Sequence, residues 1–272
     1  MELVSQEQPL RLTIGEIAFA VAQLYSYEKA VKLVSTQFEV ERIDDALLMI
    51  QTSGQSLHAR ELATQLVPRV ELTPPLAAIG KVLGSSEWLL RCSRTAPGGD
   101  TDSLLLHLSA SGVLAHEVVS EHVQRLVRLR DPGALLGRAA ALFQLSHTES
   151  QLPSLRLAKG TFDAIWTSSD AAAVEAQLIE TRSPGAPGLV RAGLASDLAS
   201  PRWKGGMSKT HYPRGGEVDV GACLYLAAGE RTWLIVPDSP VSVLVTEATR
   251  QRFADAAMQV IERVPAGERV FS

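Results

Sequence analysis

The run Lys204-Gly205-Gly206-Met207-Ser208-Lys209 is the stretch whose composition most invites chemistry. Two lysines flank a glycine pair, and glycines let backbone N–H groups close around an anion such as phosphate. The aligned stretch in the first half of the chain, Leu89-Leu90-Arg91-Cys92-Ser93-Arg94, holds no glycine. A strand bulge at Gly205 and Gly206 is therefore the expectation, rather than a phosphate site. No G-x-x-x-x-G-K-[ST] loop, G-x-G-x-x-G fingerprint or G-x-S-x-G nucleophile elbow occurs in the chain. The histidines are His58, His107, His116, His122, His147 and His211; none forms H-E-x-x-H, and none stands at ligand spacing from a cysteine. His116 and His122 flank an expected change from strand to helix and are placed to approach each other, without a third ligand. Cys92 and Cys223 fall in strand-like stretches and read as buried small apolar residues. Asp44-Asp45, Asp100/Asp102 and Glu217/Asp219 are neighbours in sequence only and read as solvated surface. No catalytic, cofactor-binding or metal-ligating residue is assigned.

The elements that would carry these residues follow from periodicity. LRLT at residue 10 reads as a strand entering a helix, with Thr13 and Glu16 spaced as a capping box. Ile14, Ile17, Val21 and Leu24 then recur at helical spacing. Further helices are expected over Tyr27–Gln37, over Val40–Gln51 with a break at Gly54, and over His58–Leu66. Pro74 and Pro75 suit a first helical turn. From Glu87 the pattern changes: Glu87–Arg94 reads as a strand, 95–102 as a turn-rich loop, and 104–118 as a glycine hairpin. Ser120 is expected to cap a helix to Leu129, and another helix ends at Gln144. The polar stretch 146–154 reads as a linker.

Then the order begins again. LRLAKG at 155–160 echoes LRLTIG at 10–15. At one constant offset Leu83 matches Leu198, Ser85 matches Ser200, Trp88 matches Trp203, Ser93 matches Ser208 and Arg94 matches Lys209. Leu224-Tyr225-Leu226 echoes Leu106-His107-Leu108, the loop at 211–217 stands where 95–102 stood, and a last helix is expected from Glu247 to Val264. The reading is an α+β fold of two repeated halves, residues 1–150 with a three-stranded antiparallel unit and residues 151–272 packed into the same globular body. A pseudo-two-fold axis would relate them. Trp88 and Trp203 are expected as core anchors of matching strands.

Composition narrows the function classes. The chain has 272 residues, 46% apolar and 21% charged, which suits a globular protein. A net charge of −4 does not suggest a nucleic-acid surface. HARELATQL at 58–66 has the look of a winged-helix second helix, with the 104–118 hairpin as wing. Its surroundings offer only Arg60, Arg69, Lys81, Arg91 and Arg94 against Glu61, Glu71 and Glu87, a thin supply for phosphate contacts. The N-terminal stretch lacks a signal-peptide pattern, and no window is apolar enough for a membrane span. A cytoplasmic protein is expected. A winged-helix regulator and a small-molecule enzyme without a recognisable motif stay open as alternatives.

The sequence resembles the EspG family, the chaperones associated with ESX (type VII) secretion. The resemblance rests on LRLTIGEI at 10–17, on LRLAKGTFDAI at 155–165, and on helices ending in an L-x-S-x-x-W entry into a strand, Leu83 to Trp88 and Leu198 to Trp203. Gly hairpins and a C-terminal helix follow. The family's acidic-Thr and Gly-Arg motif is absent from VDVGACLYL at 218–226. The resemblance implies a central antiparallel sheet flanked by helical bundles and no cofactor. It implies a protein client, a secreted helical PE–PPE-like heterodimer held soluble and routed to its export machinery. It places the partner surface on a loop between central strands and on the C-terminal bundle. By position here, that is Pro97, Gly98, Gly99, Asp100 and Thr101, with the second-half helices.

Overall fold

In the computed structural model the described residues are 9–37, 42–66, 69–86, 88–120, 123–129, 131–147, 152–180, 188–211 and 219–262. His122, residues 148–151 of the 146–154 linker and the 211–217 loop beyond His211 lie outside them. The protein is α+β, with nine helices and a ten-stranded antiparallel sheet among the described residues. The chain divides into two compact units.

The first unit draws on residues up to Leu89 and on Leu104–Leu135. Its series is β1 (Leu10–Thr13), α1 (Ile14–Leu24), α2 (Tyr27–Gln37), α3 (Ile43–Ala59), a small hairpin of β2 (Ala63–Leu66) and β3 (Arg69–Leu72), and α4 (Pro74–Ser85). In chain order, strands β4 (Trp88–Thr95), β5 (Thr101–Ser109), β6 (Gly112–Val118) and β7 (Val123–Leu129) follow, then helix α5 (Pro132–Leu142); of these, Leu90–Ser103 and the residues from Leu136 count with the second unit. The first strand pairs with the last of the four: Leu10 faces Leu126 and Leu12 faces Gln124. Leu12, Leu114 and Leu126 on one sheet face meet Ile17, Val21, Ile50, Leu76 and Val82 from α1, α3 and α4 in one buried cluster.

The start of α1 is built locally. Thr13 Oγ1 accepts from the Glu16 N–H at 3.2 Å, and Glu16 Oε2 accepts from the Thr13 N–H at 2.8 Å. The same carboxylate, 1% exposed, takes Ser56 Oγ at 2.8 Å and Arg60 Nη1 at 2.7 Å, while Arg60 Nη2 donates to the Arg11 carbonyl. Glu16 thus caps α1 and joins it to α3, while its partner Arg60 satisfies a carbonyl of β1.

The second unit holds Leu90–Ser103, Leu136–His211 and the chain from Glu217 onward. It contains β8 (Leu155–Ala158), α6 (Lys159–Thr167), α7 (Ala171–Glu180), α8 (Gly188–Ala199), β9 (Trp203–His211), β10 (Asp219–Ala228), β11 (Thr232–Ser239), β12 (Ser242–Glu247) and α9 (Arg250–Glu262). Here too the first strand pairs with the last of four: Leu157 faces Val243 and Leu155 faces Val245. Leu155, Leu157, Phe162, Ile165, Leu178, Leu198 and Trp233 share a core. In chain order each half runs strand, helices, four strands, helix, the first with the β2–β3 hairpin inserted before α4. Trp88 opens β4 and Trp203 opens β9.

Several expectations are corrected. Residues 58–66 are not a helix: α3 runs through Gly54 to Ala59, a turn follows with Glu61 at φ 57°, and Ala63–Leu66 is a strand. Gly54 does not break α3 because it is where Phe19 packs; an added Cβ would lie 2.8 Å from that ring. The winged-helix reading loses its second helix by this change. Residues 123–129 are a strand, not a helix. Val123, Leu126 and Val127 fall at helical spacing in sequence, but Leu126 and Val127 are buried on opposite sides of a strand whose Arg128 is exposed. The second half holds a fourth strand, β12, before its last helix, which starts at Arg250. Gly205 and Gly206 pair regularly with Leu226 and Tyr225, and the irregularity lies between Val220 and Cys223 instead. Gly205 is required by close backbone approach, since a Cβ there would sit 2.1 Å from the Ser93 carbonyl oxygen. No helix among the described residues is long and apolar enough to cross a membrane.

Candidate functional site

Strands β4 and β5 are joined by the five residues 96–100, and this turn is held by its own bonds. Arg94 donates from Nε and Nη2 to Asp102 Oδ2 at 2.8 and 2.7 Å. Thr95 Oγ1 and Thr101 Oγ1 lie 2.9 Å apart. The Ala96 N–H donates to the Asp100 carbonyl and the Gly99 N–H to the Ala96 carbonyl, each at 2.9 Å. Gly99 has φ 92°, a left-handed conformation open to glycine at little cost. The expected partner residues Pro97, Gly98, Gly99, Asp100 and Thr101 are brought together here, all exposed. Nothing lies within 4 Å of a Cβ built on Gly98 or Gly99. The result is an exposed tip on a braced base, and ordering it on binding costs little because it is already ordered.

Beneath the tip is a cavity of about 240 Å³ lined by Arg94, Ala96, Asp100, Asp102, Gln144, Arg202 and Trp203. Trp203, 6% exposed, stacks on Phe143 at 5.8 Å between ring centroids, and Phe143 meets Phe253 of α9 edge-on at 5.6 Å. Trp203 thus packs against buried Phe143 and also forms part of a cavity wall. The second-half helices, the other candidate surface, leave Ala172, Ala176 and Ile179 exposed along α7.

The other sequence candidates resolve into structural roles. Both lysines of the glycine–lysine run end at helix C-termini. Lys204 Nζ donates to the Trp166 carbonyl at 2.6 Å and lies over the Trp166 ring, while Lys209 Nζ donates to the Ile261 carbonyl. Desolvation lowers the pKa of both amines. The run is mid-strand and forms no nest. Burial pushes the Cys92 thiol up to about 12 and raises Cys223 as well, so neither is poised as a nucleophile. Among the described residues no three His, Cys, Asp or Glu side chains cluster to hold a metal.

Two arrangements escape sequence reading. His116 meets His107 across β5 and β6, and Gln124 of β7 meets His116 at 2.8 Å. Asp197, 4% exposed, accepts from the Glu230 N–H at 2.7 Å and from Trp233 Nε1 at 2.8 Å, tying α8 to the β10–β11 turn. Nothing local marks either one; the only signal is a polar residue inside an apolar run.

No family model matches the chain, and no curated protein matches it either. Among solved structures it is similar to the Mycobacterium tuberculosis type VII secretion system chaperone EspG5, determined in complex with a PE25–PPE41 dimer. The TM-score is 0.66 at 11% identity, over 96% of this chain and 98% of that one. At that identity the likeness is one of fold.

Proposed function

We propose that the protein is a cytoplasmic chaperone of the type VII secretion kind, which holds a helical secreted PE–PPE-like heterodimer through the exposed tip at Pro97, Gly98, Gly99, Asp100 and Thr101. The observation that carries this reading is a likeness running almost end to end with a chaperone solved on such a client, combined with a preformed exposed loop. The second-half helices α6, α7 and α8 are the other candidate contact. The repeated order of elements is read as the product of duplication of an ancestral unit. Chaperoning needs a preformed patch and no reacting groups, so no enzymatic step and no cofactor enter this reading.

The test is co-expression with PE–PPE-like pairs from the source genome, followed by affinity capture and gel filtration. A stoichiometric complex that is lost on replacing 97–100 by Ser-Ser-Ser-Ser is the expected result. Failure of every such pair to co-purify would overturn the proposal. Salt-sensitive retention of DNA, with no client captured, would favour the regulator instead.

A further inference from the structure

The inference rests on the client-binding role proposed for the loop and names what the client presents to it. The cavity beneath the tip has donors without partners. Arg202 is anchored by its backbone N–H to the Ala228 carbonyl at 2.6 Å and by Nε to the Gly229 carbonyl at 2.7 Å. Both of its Nη groups are left without a partner among the described residues, as is the indole N–H of Trp203. Arg94 engages Asp102 through Nε and Nη2 and keeps Nη1 open. On the acceptor side, Asp102 Oδ2 takes both bonds from Arg94 and leaves Oδ1 open, while Asp100 lines the cavity from the exposed tip.

A cationic ligand reaching Asp102 would stand beside the Arg94 guanidinium already paired with that carboxylate and would face Arg202 as well. A carboxylate meets cationic donors that have no partner, and charge-assisted bonds of that kind are among the strongest available. A volume of about 240 Å³ suits one side chain; a helix with its side chains is about 10–12 Å across and does not enter. We propose that this cavity receives a single glutamate or aspartate side chain from the client, its carboxylate held by Arg202 and Arg94 and its methylenes against Trp203. Asp100 at the lip then disfavours a second acidic residue beside the first.

The test is a titration of indole-¹⁵N-labelled protein with N-acetyl-glutamate-N-methylamide and, separately, with the glutamine analogue. The Trp203 signal is identified by its loss in Trp203→Phe. Expected are a saturable shift with the glutamate probe, affinity for the glutamine probe at least about tenfold weaker, and loss of the shift in Arg202→Gln while the other indole signals keep their positions and show the fold retained. Equal shifts with both probes, no shift with either, or a shift that survives in the double variant Arg94→Gln/Arg202→Gln would overturn the proposal. No client is present in the titration, so its result stands apart from the outcome of client capture.

Discussion

The Nε2 atom of His107 lies 3.3 Å from Nδ1 of His116, and both rings are fully buried. With the Gln124 Oε1 atom accepting from His116 Nε2–H, His116 Nδ1 is left as an acceptor for His107 Nε2–H. His107 Nδ1 is then a buried lone pair with no hydrogen-bond partner. Both imidazoles are neutral in this arrangement. Burial lowers the pKa of His116 to about 4, and burial together with the neighbouring ring lowers that of His107 well below the usual value. A group with a depressed folded pKa protonates first in the unfolded chain. Its contribution to stability is therefore complete above the unfolded value of about 6.5 and is lost as pH falls toward about 4. Urea midpoints should hold near pH 7 to 8 and fall steeply between pH 6.5 and 4.5. His107→Leu removes one group that titrates in this window, so its midpoint should fall less steeply. Parallel curves for the two proteins would contradict the assignment.

The Glu16–Arg60 pair gives a sharper stability test. Glu16→Ala removes the acceptor for the Thr13 N–H, Ser56 Oγ and Arg60 at once and is expected to cost about 3 kcal/mol or more. Arg60→Met leaves a carboxylate with 1% exposure without its cation and should cost about 2–3 kcal/mol. The double variant should cost less than the sum, because each change removes the reason for the other. Chemical denaturation of the four proteins measures this, and additive losses would show that the two side chains act separately.

These two networks mark the boundary of what the sequence shows. The Thr13–Glu16 cap was legible because both partners lie within one helical turn. The ion pair to Arg60 was not, because it depends on how α1 and α3 pack. The sequence pairs His116 with His122 by proximity along the chain; only the register of β5 on β6 brings His107 to His116. The stretch 123–129 has the sequence signature of a helix because Val123, Leu126 and Val127 stand three and four apart, and only pairing with β6 and β1 makes it a strand. Gly54 was read as a stop, but only the position of Phe19 shows why a glycine is tolerated mid-helix. The tip residues 97–101 were placed from turn chemistry and family resemblance, which are local; the cavity below them needed Gln144, Arg202 and Trp203 from distant stretches.

For the tip, bracing and contact can be separated. Gly99→Val forces a branched side chain into φ 92° and should lower stability by about 1–2 kcal/mol. It should also weaken client capture, because the turn no longer closes. Pro97→Ser alters an exposed side chain at a position outside the braces, so capture should change with little loss of stability. Thermal unfolding alongside co-purification distinguishes the two. Capture unaffected by both changes would remove the tip from the interface.

The last comparison sets two glycines against each other. A Cβ on Gly205 would meet the Ser93 carbonyl oxygen at 2.1 Å and the Arg94 Cα at 2.8 Å, both backbone atoms with no rotamer through which to yield. Gly205→Ala must therefore separate β9 from β4 locally, breaking ladder bonds beside Trp203, and should cost about 3 kcal/mol or more. Gly137 stands inside α5 with nothing within 4 Å of a built Cβ and no positive φ. There the same one-methyl change only restricts the unfolded chain and improves helix propensity, so Gly137→Ala should stabilise by about 0.5–1 kcal/mol. Opposite signs in urea denaturation would locate the close approach at Gly205. A mild effect at Gly205 would mean that the strands there stand further apart than 2.1 Å to a Cβ implies.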